Sequence, residues 1–127
     1  NHLYTHNKLV AELGFGFWRY MFAPKQFAAT GRTLLHIFPS KPTSTAAIQY
    51  NQTFVFNQLA QINNLRNRIA HHEPICFVPG QPVKGTTYAR QHYELILQLF
   101  HWMNIDEGKF LYGIDHISTV CDQIDAL

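Results

Sequence analysis

Apolar residues recur with a helical period along most of the chain, and no segment shows sustained alternation of the strand type. Stretches rich in proline, glycine and serine predict loops at Pro24, 39–44 and 74–85. Between these loops the period predicts four long helices and one short one, over 8–22, 46–72, 86–104, 106–124 and 31–38. We therefore predict an all-α fold, a four-helix bundle with a short extra helix.

The segment 46–72 has the longest helical pattern. Five apolar residues fall on one face of it: Ile48, Val55, Leu59, Ile62 and Ile69. Thr45 is a suitable N-cap, and Pro74 disfavours helical geometry at Glu73, so we expect this helix to end near His72. In segment 8–22, Gly14 and Gly16 weaken the helix and allow a break.

Composition restricts the class of protein. The 127 residues fit one domain, and 46% apolar with 14% charged residues argue against disorder. Two cysteines do not form a disulfide scaffold of the secreted type, which favours a reducing compartment. The sequence predicts neither a transmembrane helix nor a signal peptide. Because the chain begins at Asn1 rather than Met, we expect it to be part of a longer protein.

The formal net charge of +2 conceals a polarised distribution. Residues 1–90 carry nine Lys or Arg and two Asp or Glu, a net of +7, whereas residues 91–127 carry one base and six acids, a net of −5. A basic side of this kind is typical of a polyanion-binding face. The alternative is that the two parts meet in the fold and neutralise each other.

Arg66 falls within the apolar face of segment 46–72, about 20° from Val55 on an ideal helix. A buried guanidinium needs an acid, a bound anion or a partner surface. The alternatives are that Arg66 extends to solvent at the end of the apolar face, or pairs with an acid of the last helix. His71 and His72 follow at the predicted end of the helix. An arginine that binds phosphate, a histidine that moves protons and Asn67 to orient them suit phosphate chemistry.

The string Asn-Leu-Arg-Asn-Arg-Ile-Ala-His-His-Glu-Pro-Ile, residues 64–75, resembles the Arg-Asn-x-x-x-His signature of the HEPN superfamily, specifically its abortive-infection (Abi-like) branch. The glycine-containing aromatic segment 12–22 also resembles the helix that precedes the motif in that branch. The resemblance covers about residues 8–125. It implies that 1–127 is a single HEPN-like helical domain, the C-terminal part of a longer Abi-like protein.

The resemblance further implies a metal-independent endoribonuclease of a phage-defence or toxin–antitoxin system. Arg66 and His71 would be the catalytic pair, with Asn67 as a polar modulator, in an attack of the RNA 2′-OH on the adjacent phosphate. His72 is the alternative catalytic histidine, because the spacing in the family varies. The implied partners are an RNA substrate, a second copy joined through the motif helix, and an antitoxin as a further candidate. The implied location is the bacterial cytoplasm, with no membrane contact.

Other residues of the basic part could extend an RNA-binding surface. Arg68 should face away from Arg66 and contact the RNA backbone, while Lys84, Tyr88 and Arg90 flank the loop after the motif. We predict no metal and no cofactor. His71, His72 and Glu73 could in principle hold a metal, but adjacent side chains on a helix diverge by about 100°.

Two other functions compete with the ribonuclease. One is a non-catalytic HEPN domain that binds a nucleotide or a protein partner. The other is a plain helical interaction domain in which Arg66 has only a structural role. The intact Arg-Asn-His string favours catalysis.

Overall fold

The computed structural model describes residues 5–78 and 80–127. Residues 1–4 of the predicted domain, and Pro79 of the predicted loop 74–85, lie outside the described residues. The described chain is all-α, as predicted, but it has seven α-helices and one 3₁₀ helix rather than the predicted four long helices and one short one. It contains α1 (His6–Glu12), α2 (Phe15–Tyr20), α3 (Pro24–Ala29), a 3₁₀ helix (Leu34–Ile37), α4 (Gln52–Ala70), α5 (Thr87–Trp102), α6 (Glu107–Phe110) and α7 (Ile117–Asp125).

The prediction of one helix over 8–22 was wrong, because the segment is divided into α1 and α2. Leu13 closes α1 in an extended conformation, and Gly14 begins α2 as its N-cap, also extended. Glycine costs about 1 kcal/mol in a helix interior relative to alanine. Gly14, which lies at the break in an extended conformation, therefore lowers the cost of interrupting the helix there.

The short helices between Pro24 and the start of α4 differ from the prediction in detail. Pro24 does not only mark a loop, since it is the first residue of α3, a position where its missing N–H is not needed. In the predicted segment 31–38 only Leu34–Ile37 is helical, as a single 3₁₀ turn.

Helix α4 begins six residues later than predicted, and Thr45 is not its N-cap. Asn51 is the N-cap, and its Oδ1 accepts a hydrogen bond from the N–H of Phe54 at 3.0 Å. Thr45 instead closes a separate turn, in which its Oγ1 accepts from the N–H of Ile48. Ser44 accepts from the N–H of Tyr50 in the same way. The N–H of Thr45 also donates to the carbonyl of Ile48 at 2.9 Å, which together with the Ser44 hydrogen bond closes 44–50 into a loop, so the helix begins only after the next N-cap, Asn51.

In the second half of the chain, one predicted helix is confirmed and the other is divided into two. Helix α5 lies within the predicted segment 86–104 and differs from it by one residue at the start and two at the end. The prediction of one helix over 106–124 was wrong, because a turn at 111–116 separates α6 from α7. Gly113 in this turn has a φ of 77°, a left-handed conformation that ends a helix.

The core lies between α2, α3, α4 and α5. Val55 of α4 is fully buried, and the other members of the core cluster are Phe22, Phe27, Phe38, Leu95, Leu99 and Trp102. Trp102 meets the rings of Tyr50 and Phe54 at 5.7 and 6.0 Å between centroids. The core is therefore aromatic and holds the N-terminal half of α4, while the C-terminal half, which carries the motif, extends beyond it.

The packing of the longer helices is open. Helix α4 packs against α2, α3 and α5, and α5 in turn packs against α6 and α7. The accessible surface is 9172 Å², whereas a compact monomer of this mass exposes about 6,900 Å². No helix in the described ranges has the length and apolar character needed to cross a lipid bilayer.

Candidate functional site

The motif residues lie at the C-terminal end of α4, where the helix closes in a Schellman motif. His71 is the C-cap, and its N–H donates to the carbonyl of Asn67 at 2.9 Å. The N–H of His72 donates to Ile69 O at 3.1 Å, and that of Glu73 donates to Arg68 O at 2.8 Å. The helix thus ends two residues before His72, close to the predicted end.

Arg66 is exposed to solvent rather than buried among apolar side chains. The apolar face leaves the core beyond Ile62, and Ile69, about two turns further on, is 53% exposed. Of the alternatives that the sequence left open, the structure therefore shows an arginine that extends to solvent at the end of the apolar face.

The guanidinium of Arg66 is held by a neighbour but is not neutralised. Its Nη1 donates to Asn67 Oδ1 at 3.2 Å. No carboxylate of the described ranges lies within ion-pair distance of it. The predicted pairing of Arg66 with an acid of the last helix is thus not observed, and the charge remains available to an anion.

Both histidines are exposed, and the chain turns between them. His71 has a φ of −93°, whereas His72 has a φ of +56°, in the left-handed region that non-glycine residues rarely adopt. Among the described residues, no hydrogen bond or ring contact joins Arg66 to either histidine. Within one chain the motif therefore presents an arginine and two histidines to solvent, without direct contact between them.

Arg68 has the opposite surroundings. Its Nη2 donates to the carbonyl of Pro74 at 2.6 Å, and its Nε lies 3.3 Å from Glu73 Oε2. Its Cζ stacks 4.7 Å from the centroid of the Tyr88 ring at the start of α5. The side chain is only 27% exposed. Arg68 thus joins the turn after α4 to α5, and little of its guanidinium is open to RNA.

The other two predicted RNA-binding residues also differ from each other. Lys84 is exposed, and no ion pair with a described carboxylate occupies it. Arg90 donates from Nη2 to Asp122 Oδ1 at 2.6 Å and to Asp125 Oδ2 at 3.1 Å, both on α7. The basic and acidic parts of the chain therefore meet at Arg90, as the alternative reading of the charge distribution expected. The charge of Lys84 also contributes to lowering the pKa of Asp125, without an ion pair, whereas no described acid pairs with Arg66.

The contacts around Arg90 shift two pKa values. Hydrogen bonds to Asp122 and then Asp125 raise the pKa of Arg90 further above its usual range. The hydrogen bond from the buried Thr86, followed by that from Arg90, lowers the pKa of Asp125. These four residues bind α7 to the N-terminal turn of α5 and fix the end of the loop that follows the motif.

Sequence reasoning missed the hairpin in that loop. Phe77 and Lys84 form an antiparallel bridge, and the N–H of Val78 donates to the carbonyl of Val83 at 2.8 Å. The signal in the sequence was two apolar pairs, Phe77–Val78 and Pro82–Val83, on either side of a Gly-Gln turn. The hairpin places Phe77 beside Tyr88, close to the end of α4.

The described residues contain no group of three or more His, Cys, Asp or Glu side chains arranged to hold a metal ion. In comparisons with known proteins, no family model, no curated protein and no solved structure matches the chain.

Proposed function

We propose that the chain is a HEPN-type endoribonuclease of the Abi-like kind, acting in a phage-defence or toxin–antitoxin system in the bacterial cytoplasm and needing no metal. The proposal starts from the resemblance of residues 64–75 to the Arg-Asn-x-x-x-His signature. The observation that carries it is the state of Arg66. This arginine is exposed, is oriented by Asn67, and has no described carboxylate to occupy it.

The proposed reaction is an attack of the RNA 2′-OH on the adjacent phosphorus. The 2′-O–P bond forms and the P–O5′ bond breaks, which leaves a 2′,3′-cyclic phosphate and a 5′-hydroxyl. Arg66 stabilises the charge that develops on the phosphoryl oxygens, and the hydrogen bond from its Nη1 to Asn67 restricts the guanidinium. His71 transfers protons as general base and then general acid, a role that imidazole groups often fill in catalysis.

We further propose that two copies join through the C-terminal half of α4, so that two motifs share one cleft. Ile69 is half-exposed beside Arg66. The chain also exposes roughly 2,000 Å² more than a compact monomer of its mass, enough for an interface of standard size, which buries about 800 Å² on each partner. Arg66 contacts neither His71 nor His72 of its own chain, and a second copy would bring the histidines of the partner chain towards it.

The test is RNA cleavage in the presence of EDTA by wild type, Arg66→Ala, His71→Ala and His72→Ala, with mass spectrometry of the products. We expect wild type to leave 2′,3′-cyclic phosphate ends, and Arg66→Ala and His71→Ala to lower the rate at least 100-fold. His72→Ala should cleave at nearly the wild-type rate. No cleavage by wild type, or equal rates for wild type and Arg66→Ala, would refute the ribonuclease.

Arg68→Ala is the matched control, since it removes an arginine two positions away from the same helix. It should lower the free energy of unfolding by about 1 kcal/mol, because it loses a partly exposed ion pair and a hydrogen bond to Pro74 O. Arg66→Ala should leave that free energy unchanged. A lowered free energy of unfolding for Arg68→Ala but not for Arg66→Ala would show that the loss of cleavage by Arg66→Ala is a loss of catalysis and not of folding.

The second candidate is a non-catalytic domain that binds a protein partner. The large exposed surface favours it, as do several exposed apolar side chains far from the motif, among them Leu9, Phe110, Tyr112 and Ile114. In that case RNA would be neither cut nor bound, and the Arg66→Ala variant would behave as wild type in every RNA assay.

A further inference from the structure

The hairpin that follows the motif encloses a small cavity against the first turns of α5. The N–H of Gly85 donates to the carbonyl of Cys76 at 3.0 Å and closes the base of the hairpin. The cavity has a volume of about 260 Å³. Its walls are Phe77, Val78, Gly85, Thr87, Tyr88 and Gln91. It is smaller than the pockets of roughly 300–1,000 Å³ that hold drug-sized ligands, so it suits a smaller group.

The two aromatic rings that line the cavity differ in how many other side chains contact them. Tyr88 is fixed, since Arg68 lies 4.7 Å from its ring centroid and the His92 ring lies 4.2 Å away. Phe77 is 43% exposed, and no other aromatic ring of the described chain contacts it. The cavity thus has one rigid wall and one ring with a free face.

The wall chemistry combines flat apolar surface with a polar edge. Phe77, Val78 and Tyr88 provide the apolar surface, and Thr87 and Gln91, whose side chains carry a hydroxyl and an amide, also line the cavity. An amide offers both a donor and an acceptor in one plane. This combination matches a nucleobase, which stacks through its faces and forms hydrogen bonds at its edge.

The charges around the cavity favour RNA over an apolar protein side chain. Lys84 lies directly across the hairpin from Phe77 and forms no ion pair with a described carboxylate, although its charge contributes to lowering the pKa of Asp125. A second cavity of about 360 Å³ lies on the other side of Phe77 and Val78, and Arg68 lines it. Lys84 is therefore placed to meet the phosphate of a nucleotide whose base lies against Phe77.

We propose that this cavity binds one unpaired base of a single-stranded RNA, with Phe77 as the stacking surface and Gln91 as the polar contact. The inference rests on the proposed function in taking RNA as the substrate. It adds a specific subsite at the C-terminal end of α4, where Arg68 stacks on the Tyr88 wall of the cavity, on the side of the helix away from Arg66.

The test measures binding separately from cleavage. The probe is a fluorescein-labelled, single-stranded 2′-O-methyl RNA of twelve nucleotides, which has no free 2′-OH and so cannot be cut by the proposed reaction. Fluorescence anisotropy would give the Kd of this probe for wild type, Phe77→Ala, Phe77→Trp and Gln91→Leu. The second probe is an oligonucleotide of the same length with abasic positions. Tyr112→Ala is the matched control, since Tyr112 is a surface aromatic residue, 87% exposed, outside the hairpin.

We expect Phe77→Ala to weaken binding about tenfold, in line with the loss of one stacked base, and Phe77→Trp to retain it. Gln91→Leu should change the preference among poly(A), poly(U) and poly(C) probes, and Tyr112→Ala should bind as wild type does. Both Phe77 variants and wild type should bind the abasic probe equally. Equal Kd values for wild type and Phe77→Ala on the intact probe would overturn the proposal. A wild type that does not bind the probe would also overturn it. If the occupant of the cavity were an apolar protein side chain instead, one of these two results would be expected.

The test of the base site can fail or succeed independently of the test of the proposed endoribonuclease. If Phe77→Ala loses binding while wild type cuts no RNA, the base site stands and the endoribonuclease falls. If wild type cuts RNA through Arg66 while Phe77→Ala binds and cuts equally well, the endoribonuclease stands and the base site falls.

Discussion

Two arginines of α4, two positions apart, have opposite surroundings. Arg68 contacts Glu73, the Pro74 carbonyl and the Tyr88 ring, whereas the one side-chain hydrogen bond of Arg66 among the described residues goes to Asn67. The helical repeat explains the difference, because residues two apart point in nearly opposite directions. The chain thus uses one arginine to hold the loop in place and keeps the other free for an anion.

His72 offers a test at the scale of a single residue, because it has a φ of +56° at the position after the C-cap of α4, where glycine is preferred. His72→Gly should therefore raise the free energy of unfolding by roughly 0.5–1 kcal/mol, as measured by urea denaturation. If His71 is the catalytic histidine, the same variant should cut RNA at the wild-type rate. A stabilised but inactive His72→Gly would assign catalysis to His72 instead, and an unchanged stability would contradict the argument from the left-handed backbone.

The helices show which features a sequence pattern can predict. Helix α5 was predicted to within two residues, because its apolar period runs without a glycine, proline or competing hydroxyl group. The start of α4 was misplaced because Thr45 and Asn51 are both suitable N-caps. The choice between them depends on the hydroxyl groups of Ser44 and Thr45, which bind backbone N–H groups of 46–51.

The sequence pointed to candidate residues but not to their contacts. The string 64–75 indicated Arg66, Asn67, His71 and His72 through its resemblance to the HEPN signature, and their catalytic role stays a prediction. Nothing in the spacing indicated that Arg68 would stack on Tyr88 or that Arg90 would meet α7, since these contacts join segments 20 and more residues apart. Such contacts depend on the packing of α4, α5 and α7 against one another.

The break between α1 and α2 leads to a prediction for α2. Gly16 lies inside this helix, and a Cβ at this position would meet no other atom within 4 Å. Gly16→Ala should therefore raise the free energy of unfolding by about 0.5–1 kcal/mol, through helix propensity and a less flexible unfolded chain. Thermal unfolding by circular dichroism would measure the change. A destabilised variant would mean that α2 needs glycine for a reason other than space.

The attachment of α7 to α5 should depend on pH through Asp125. Its pKa is lowered in the folded chain, so it stabilises the fold above the unfolded pKa, about 3.9, and this contribution is lost as the pH falls through the lower, folded pKa. We therefore expect Asp125→Asn to be less stable than wild type at pH 7, and the difference to shrink as the pH falls from 4.5 to 2.5. Urea denaturation across this range measures it, with Asp106→Asn as a control. A difference that did not vary with pH would contradict the role of the Asp125 charge.

At the scale of the whole molecule, the surface is large for the chain. The packing is open, and the accessible area of 9172 Å² exceeds the value for a compact monomer by roughly 2,000 Å². Among the described residues, the ion pairs between the basic and acidic parts of the chain are those of Arg90, and Arg66 and Lys84 are exposed without an ion pair. An exposed apolar side chain lies among these charges, namely Ile69, which is the residue expected to anchor a second copy.

Ile69 therefore provides the test of assembly. Ile69→Glu places a charge where the proposed interface would exclude water, so it should convert a dimer to a monomer in sedimentation equilibrium. Because Ile69 is half-exposed in the single chain, the variant should keep its helical circular dichroism spectrum. If the cleft needs two motifs, RNA cleavage should fall together with the dimer fraction and return at high protein concentration. Ile114→Glu is the matched control, since Ile114 is even more exposed but lies beyond α6, and it should leave both assembly and cleavage unchanged. A wild type that is monomeric at every concentration yet cuts RNA would show that one motif suffices.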